Sequence, residues 1–414
     1  EVSEKYIKLI KSLQEDKVKI NEEKISRFGS IDIDDHGYID FPDFRFTPEC
    51  CEDGLVHGCA LIGRNFRRFL NEMPKYINKN SALAGCWIGN LQRYIPFGVA
   101  KEDRPSELDE IIEKYRIRQS GFAGMNHLCP DLEIGLTLGW KGLLEKVRHY
   151  REKNDPVDPD FYDGEEELLL GILEWVKAHA DYAEELAEKE SDPFRRQNYL
   201  EIAQANRNLT EAPPRTFREA CQFLAHFQSV DRMYYVGGAL GRMDMLLQPY
   251  YEKDTENGAI TEEEAVWMIA SLLFNDTHYA QIGGLSPAGD RETLSRISFL
   301  ILEATHLLHI PSNLAVRVHQ PVGDQDEAAE ELLHRAVEYT IKDGNGVCYS
   351  LEKGTSEGYA KNGYPVELGR MRVKCGCNWT AIPGREYPLQ DVTRINMGMA
   401  LHYALEELQE SKEY

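Results

Sequence analysis

MRVKCGCNWTAIPGREYPLQD, residues Met371 to Asp391, places two cysteines one residue apart, Cys375 and Cys377, at the end of an apolar-polar run. Asn378 and Trp379 follow, and then a turn rich in Pro383 and Gly384. This composition predicts a tight loop. Read alone, a Cys-x-Cys loop is compatible with a metal half-site, a reactive thiol or two small buried hydrophobes. The sequence on either side has to decide among these.

The chain has 414 residues, long enough for a large core. At about 150 residues per domain it reads as two or three domains, with one large barrel as the alternative. It is 42% hydrophobic and 28% charged, as folded globular proteins are. Its net charge of -23 argues against nucleic acid or an anionic membrane as the main partner. Much of the excess acid lies between Glu165 and Glu190 and predicts a solvated helix face. No apolar run of about 18 residues is present, and EVSEKYIKLIKSL lacks a signal-peptide core, so a cytoplasmic protein is expected. The nine cysteines are scattered, without Cys-x-x-Cys pairs, which suits reduced thiols and argues against zinc or any other metal centre.

Taken in order, residues 1 to about 30 predict an amphipathic helix with Tyr6, Ile7, Leu9, Ile10 and Leu13 at helical spacing. Gly29 to Phe46 predicts irregular, partly extended chain; Asp32 to Asp35 lacks the spacing and closing Glu of a calcium loop. Helix returns over Leu55 to Lys75, and Ala84 to Asn90 reads as a buried turn or short strand. Gly121 to Pro130 (GFAGMNHLCP) is a second dense loop, in which Asn126 and His127 are candidate polar contacts. A helix over about Asp131 to Lys153 follows, and residues 163 to 208 predict long helices broken near Pro193.

Pro213 and Pro214 end that region, and Thr216 can cap the next helix, to Val230. Tyr234 to Gly238 reads as a strand, Gly241 to Asp244 opens a helix, and Thr261 to Glu264 is a capping box for a helix to Phe274. Arg291 to Leu308 predicts another helix, and Asn313 to His319 a buried strand. Arg317 and His319 share one face of that strand. Looking into a cavity they would bind an anion; looking outward they are solvent charges. A helix over Gln325 to Ile341, a strand at Val347 to Ser350, a helix around Val366 and a last helix over Asp391 to Glu410 complete an α/β pattern.

The order of several stretches resembles the glycyl radical enzymes of the pyruvate formate-lyase superfamily. They are APPRTFREA (Ala212 to Ala220), Gly241 to Ala265, Gly283 to Ser286, PSNLAVRVH (Pro311 to His319), Asp343 to Gly346 and Gly376-Cys377. The resemblance implies a ten-stranded α/β barrel made of two half-barrels. This chain would be a single incomplete domain, with residues 1-210 a mainly helical N-terminal part and 211-414 the first half-barrel with the cysteine loop. It also implies that Cys377 is the thiol that passes its hydrogen atom to a glycyl radical, and that the resulting thiyl abstracts hydrogen from a small-molecule substrate. Sulfur is polarizable, and a walled barrel keeps water from a radical. Cys375 is expected to be structural. The glycyl radical is installed in this family by a radical SAM activase that uses a 4Fe-4S cluster and S-adenosylmethionine; no cofactor is expected on this chain itself.

Two departures qualify the resemblance. Many family members read Gly-Cys-Val-Glu, with Glu as general base, where this chain has Asn378 and Trp379. The base must then be Glu386, His127 or His319, or none is needed. The chain also stops about 37 residues after Cys377, without the family's Arg-Val-x-Gly-Tyr motif. Another chain or a missing segment is therefore expected to carry the glycyl radical loop. The expected substrate is small, polar and oxygenated, surrounded by Asn126, His127, Arg317, His319, Asn378, Trp379 and Arg385, and loses water or a related leaving group. Radical C–C chemistry, by addition to fumarate, acyl cleavage or decarboxylation, and a non-catalytic paralogous subunit are the alternatives.

Overall fold

The computed structural model describes residues 2–31, 37–115, 125–126, 128–234, 237–276, 279–319, 326–344, 347–376, 379–386, 389–390 and 396–411. The acid-rich segment 32–35 lies outside them. The first part is helical: α1 (Glu4–Phe28), α2 (Cys59–Glu72), α3 (Leu108–Lys114), the short strand β1 (Met125–Asn126), α4 (Leu132–Asn154), α5 (Asp160–Lys189) and α6 (Pro193–Glu211). Helices and strands then alternate: α7 (Phe217–Tyr234), β2 (Gly241–Arg242), α8 (Met243–Glu256), α9 (Glu262–Asn275), β3 (Ala280–Ile282), α10 (Arg296–Leu308), β4 (Leu314–Val318), α11 (Asp326–Asp343), β5 (Cys348–Leu351), α12 (Thr355–Lys361) and α13 (Val366–Met371). The chain ends in β6 (Val373–Cys375), β7 (Trp379–Ala381), β8 (Leu389–Gln390) and α14 (Met397–Ser411).

Strands β2, β3, β4 and β5 form one parallel sheet in that order. Parallel neighbours need long crossovers, which the intervening helices provide. Strands β3 and β4 are buried almost throughout, whereas β5 is an outer strand with Leu351 64% exposed. Among the described residues no helix is long and apolar enough to cross a membrane.

Most predicted helices stand where periodicity placed them, and the capping box at Thr261 is present, with both its hydrogen bonds made. The departures have local causes. Helix α10 begins at Arg296, not Arg291, because Leu285 and Glu292 pair in a bridge and Ser295 caps the helix. Tyr234 still belongs to α7, and the strand of that region is Gly241–Arg242. Residues 84–90 are buried without regular structure. Side chains and backbone meet their polar groups: Gln222 accepts from the Ala84 amide at 2.8 Å and donates to its carbonyl at 3.0 Å, Asn275 donates to the same carbonyl at 3.1 Å, the Gly85 amide bonds the Tyr76 carbonyl at 3.0 Å, and the Trp87 carbonyl accepts from the Ile39 amide at 3.0 Å. A buried loop is tolerable only when its polar groups are paired in this way.

The acidic face of α5 is less solvated than its composition suggests. Arg67 of α2 bridges Glu167 and Glu174, Arg148 of α4 bonds Glu166, and Arg207 of α6 reaches Asp181 and Glu184. Glycines bring α2 onto α5: a Cβ on Gly63 would lie 2.5 Å from the Gly164 carbonyl oxygen.

The inward stripe of α1 is Tyr6, Ile10, Leu13, Lys17, Asn21 and Lys24, so the helical period continues through two lysines. Lys17 is fully buried, its ammonium 4.3 Å from the centre of the Phe274 ring. Burial, with Lys24 adding to it against the pull of Cys86 and Asp276, drops its pKa from 10.5 to about 7. Below pH 7 the folded state bears the whole cost of the buried charge. Between pH 7 and 10.5 the unfolded chain holds the proton that the folded chain has lost, so stability rises with pH across that window. Lys17→Met is expected to raise unfolding stability at pH 6 by about 1–4 kcal/mol and to flatten that rise. Urea melts at pH 6 and pH 10 check it; a variant no more stable at pH 6 would contradict it.

Candidate active site

Strands β6 and β7 form an antiparallel hairpin with Val373 opposite Ala381, Lys374 opposite Thr380 and Cys375 opposite Trp379. Residues 376–378 therefore connect the two strands. Gly376 opens the connection with φ of 68°, a conformation that side chains disfavour. Cys377 and Asn378 lie outside the described residues, as does His127. What the structure defines is the mount on which Cys377 is carried.

The face of the hairpin that carries Val373, Ala381, Cys375 and Trp379 is dry along most of its length and open at Trp379. Cys375 is fully buried and packs in a small cluster with Cys129, Ala239, Tyr279, Val373 and Ala381. Its cross-strand partner Trp379 is 55% exposed. Trp379 lines an open cavity of about 740 Å³ with Thr380, Glu386, Tyr359, Tyr364 and Asn362.

A buried ionic clamp ties the hairpin to the parallel sheet. Gln281 on β3 accepts from the Lys374 amide at 3.1 Å. Arg317 on β4 donates to the carbonyls of Arg370 and Arg372 at 2.9 and 2.7 Å, and pairs with Glu352 just beyond β5 through Nε at 2.8 Å. Arg372, at the foot of the hairpin, donates to Ser356 at 2.8 Å, to the Gly369 carbonyl at 2.7 Å and to Glu352 at 3.3 Å. Glu352 also accepts from the Ser356 hydroxyl. One carboxylate thus serves two buried guanidiniums. Burial lowers the pKa of Arg317 to about 10, with Arg372 and Arg242 adding to the shift against Glu352. Burial pulls Glu352 upward, but Arg317, Ser356 and Arg372 outweigh it and hold the carboxyl below its usual range.

Each predicted site residue has a definite place or lies outside the description. The backbone of Asn126 pairs with Leu389 in the β1–β8 ribbon. Glu386 is half-buried; its carboxylate accepts from the Ile382 amide at 2.8 Å and from the Tyr364 hydroxyl. Arg385 is exposed on the adjoining turn. Arg317 and His319 wall a separate cavity of about 190 Å³ together with Glu292, Gly284 and Leu332. His319 lies there with Nε2 3.6 Å from Glu292, both side chains buried. The Arg317 guanidinium, read from sequence as an anion ligand or a solvent charge, is engaged by Glu352 and the two carbonyls. The structure therefore brings Trp379 and Glu386 together and keeps them apart from the Arg317–His319 pair, for the two cavities share no lining residue.

Sequence reasoning missed Gln281, Glu352 and Arg372. Glu352 follows a strand-like run and Gln281 sits in a three-residue strand too short to show a period, so neither signals burial.

The family model described as pyruvate formate lyase-like matches residues 100–413. The isethionate sulfite-lyase of Desulfovibrio desulfuricans is 30% identical over 330 residues, covering 71% of this chain and 39% of that protein. The (2S)-3-sulfopropanediol dehydratase of Klebsiella oxytoca is 26% identical over 299 residues, 66% of this chain and 36% of that protein. Among solved structures, a glycyl radical enzyme from Archaeoglobus fulgidus superposes with a TM-score of 0.70 at 19% identity, over 97% of this chain and 58% of that one. The chain thus spans about two fifths of the length of the curated relatives it matches. Its sheet is the corresponding part of a glycyl radical enzyme barrel. With the family model matching three quarters of its length, the chain belongs to the pyruvate formate lyase-like family.

Proposed function

We propose that this chain is the thiol-bearing part of a glycyl radical lyase that eliminates water or a related leaving group from a small, hydroxylated, polar substrate. The observation that carries the reading is the hairpin, whose strands bracket Cys377 and are clamped to the parallel sheet by Arg317 and Gln281. The Cys377 thiol gives its hydrogen atom to a glycyl radical on a segment outside this chain, and the sulfur radical takes one from a substrate C–H bond. Such a radical must be held still, which a rigid hairpin base provides. Glu386 and Trp379 border the open cavity beside β7 and are the polar and aromatic walls offered to substrate. Glu386 takes the role of base or hydroxyl acceptor there. Relatives named a sulfite-lyase and a dehydratase, at 30% and 26% identity, support elimination, and one named a decarboxylase, at 23% identity, keeps C–C cleavage as the second reading.

The remaining barrel half and the radical loop fit what this chain leaves uncovered. Among the described residues no strand pairs with the outer edge of β5, and α14 exposes Met397, Leu401, Leu405 and Leu408. Exposed apolar helix faces and free strand edges are surfaces that a further segment covers. The radical would be installed by a radical SAM activase.

The test is anaerobic incubation of the activated complete protein with a diol, a hydroxysulfonate, a hydroxy acid and, separately, fumarate with a hydrocarbon, with products read by mass. An aldehyde or ketone formed with loss of water or sulfite supports the reading. Products of C–C joining or cleavage alone overturn it.

A further inference from the structure

The segment Cys50 to Cys59, CCEDGLVHGC, holds three cysteines, one histidine and two acids in ten residues, and nothing in the radical chemistry uses them. Its backbone turns back on itself: the Cys51 amide donates to the Leu55 carbonyl at 2.8 Å, and the Gly54 amide to the Cys51 carbonyl at 2.9 Å. Gly54 makes this possible with φ of 79°. Val56 is pinned to the neighbouring segment by bonds to Pro96 at 2.9 Å and from Gly98 at 3.3 Å. The turn places the His57 ring between two other donors. Its Nδ1 lies 3.7 Å from Cys51 Sγ, and its Nε2 lies 3.1 Å from Asp53 Oδ2. Asp53 is held by the Leu55 amide at 2.9 Å, and that bond and His57 keep its carboxyl below the usual range. One donor atom from each of the three residues lies within 4.8 Å of the others.

We propose that Cys51, Asp53 and His57 bind one soft divalent cation of the zinc class, with a fourth position open to solvent. A tetrahedral ion with bonds of about 2.3 Å to sulfur and about 2.0–2.2 Å to nitrogen and oxygen separates S from N by about 3.6 Å and O from N by about 3.3 Å. The observed spacing of 3.7 Å between Cys51 Sγ and His57 Nδ1 is close to the first; Asp53 now bonds the other ring nitrogen and has to turn to reach the ion. The ring faces sulfur with Nδ1 and the carboxylate with Nε2, so an ion seated at Nδ1 and Sγ draws the partly exposed Asp53 side chain across to it. Thiolate and imidazole together favour zinc-class ions over magnesium or calcium. The Cys51 thiol releases its proton to solvent on binding, which makes affinity rise with pH. The scattered cysteines argued against zinc because the spacing of Cys-x-x-Cys is missing; this set does not use that spacing. It is also independent of Cys377 and of the proposed radical reaction.

The test is titration of the full, reduced chain with Co²⁺ alone and then with Zn²⁺. One Co²⁺ per chain is expected, with a thiolate charge-transfer band and tetrahedral ligand-field bands that stoichiometric Zn²⁺ removes. Cys51→Ser, His57→Ala and Asp53→Ala are each expected to weaken binding about tenfold or more. Cys50→Ser, Cys59→Ser and Cys348→Ser, at exposed cysteines outside the set, are expected to bind as the parent does. Circular dichroism shows whether each variant is folded. Absence of the bands overturns the proposal. So does binding that survives His57→Ala or disappears in the Cys50 or Cys59 variant, because exposed thiols alone would then account for it.

Discussion

Cys377→Ala is expected to leave the fold unchanged and to lower turnover of the activated complete enzyme by at least about a thousandfold, a loss of more than about 4 kcal/mol of transition-state stabilisation. The two halves of this expectation rest on different observations. The hairpin is held by residues on either side of position 377: by β6 against β7, by Gln281 on Lys374, by Arg317 on the carbonyls of Arg370 and Arg372, and by the apolar cluster under Cys375. None of these uses the Cys377 side chain, so its removal costs little stability. The chemical role has no substitute, because alanine offers no hydrogen atom that a radical of this kind can exchange reversibly. Parallel measurement of Cys375→Ala separates the two thiols. That side chain is buried with Cys129 and Tyr279, and its loss is expected to cost about 1 kcal/mol of stability while turnover persists. Activity in the Cys377 variant and none in the Cys375 variant would move the radical to Cys375.

The parts of the architecture that were legible in the sequence are those in which one residue type does one backbone task. Thr261 and Glu264 satisfy each other's helix-end amides, and the period of 3.6 carries α1 and α5. The family stretches are readable for a similar reason, since their polar residues are fixed by fold-forming bonds. Asp244 accepts from the Gly283 amide at 2.7 Å and from Ser298 at 2.8 Å, and Arg242 reaches the carbonyls of Gly283 and Leu285. Asp254 accepts from the Phe217 amide at 2.7 Å. Motif residues that look like a substrate shell in one dimension are here the joints between strands and helices. Arg317 is the clearest instance, a cation on the predicted face of the predicted strand whose partner, Glu352, lies 35 positions away and gives no local sign of burial.

Short strands were the least legible. Ala280–Ile282 and Val373–Cys375 have too few residues to display alternation, and they exist because neighbours in the sheet or hairpin supply the hydrogen bonds. The cluster at Cys51, Asp53 and His57 was hidden for a different reason. It depends on a turn at Gly54 that places positions i, i+2 and i+6 on one spot, a spacing that belongs to no common metal motif.

Glu352→Gln is expected to be the most destabilising single change around the hairpin, at about 3–5 kcal/mol, the range for removing one partner of a buried pair. The glutamine keeps the shape and one acceptor, but removes the carboxylate that pairs with both buried cations, Arg317 and Arg372. Like charges in a poorly solvated site repel. The pH dependence identifies the cause. The Glu352 carboxyl titrates lower in the folded protein than in the unfolded chain, so its contribution is present above the unfolded value near 4.3 and is lost as pH falls through the lower folded value. The parent should therefore lose part of its stability on acidification through that window, and the glutamine variant should lack this component. Urea unfolding from pH 3 to 8 measures both, and hydrogen exchange locates the damage: amides of β6 and β7 should exchange faster in the variant, while those of α5 do not change. An exposed pair gives the scale, since Arg335→Gln, which removes the partner of Glu331 one helical turn away, should cost no more than about 0.5 kcal/mol. A Glu352 variant within about 1 kcal/mol of the parent would show that carbonyl contacts alone hold Arg317 and Arg372. The clamp would then be incidental to the placement of the cysteine loop.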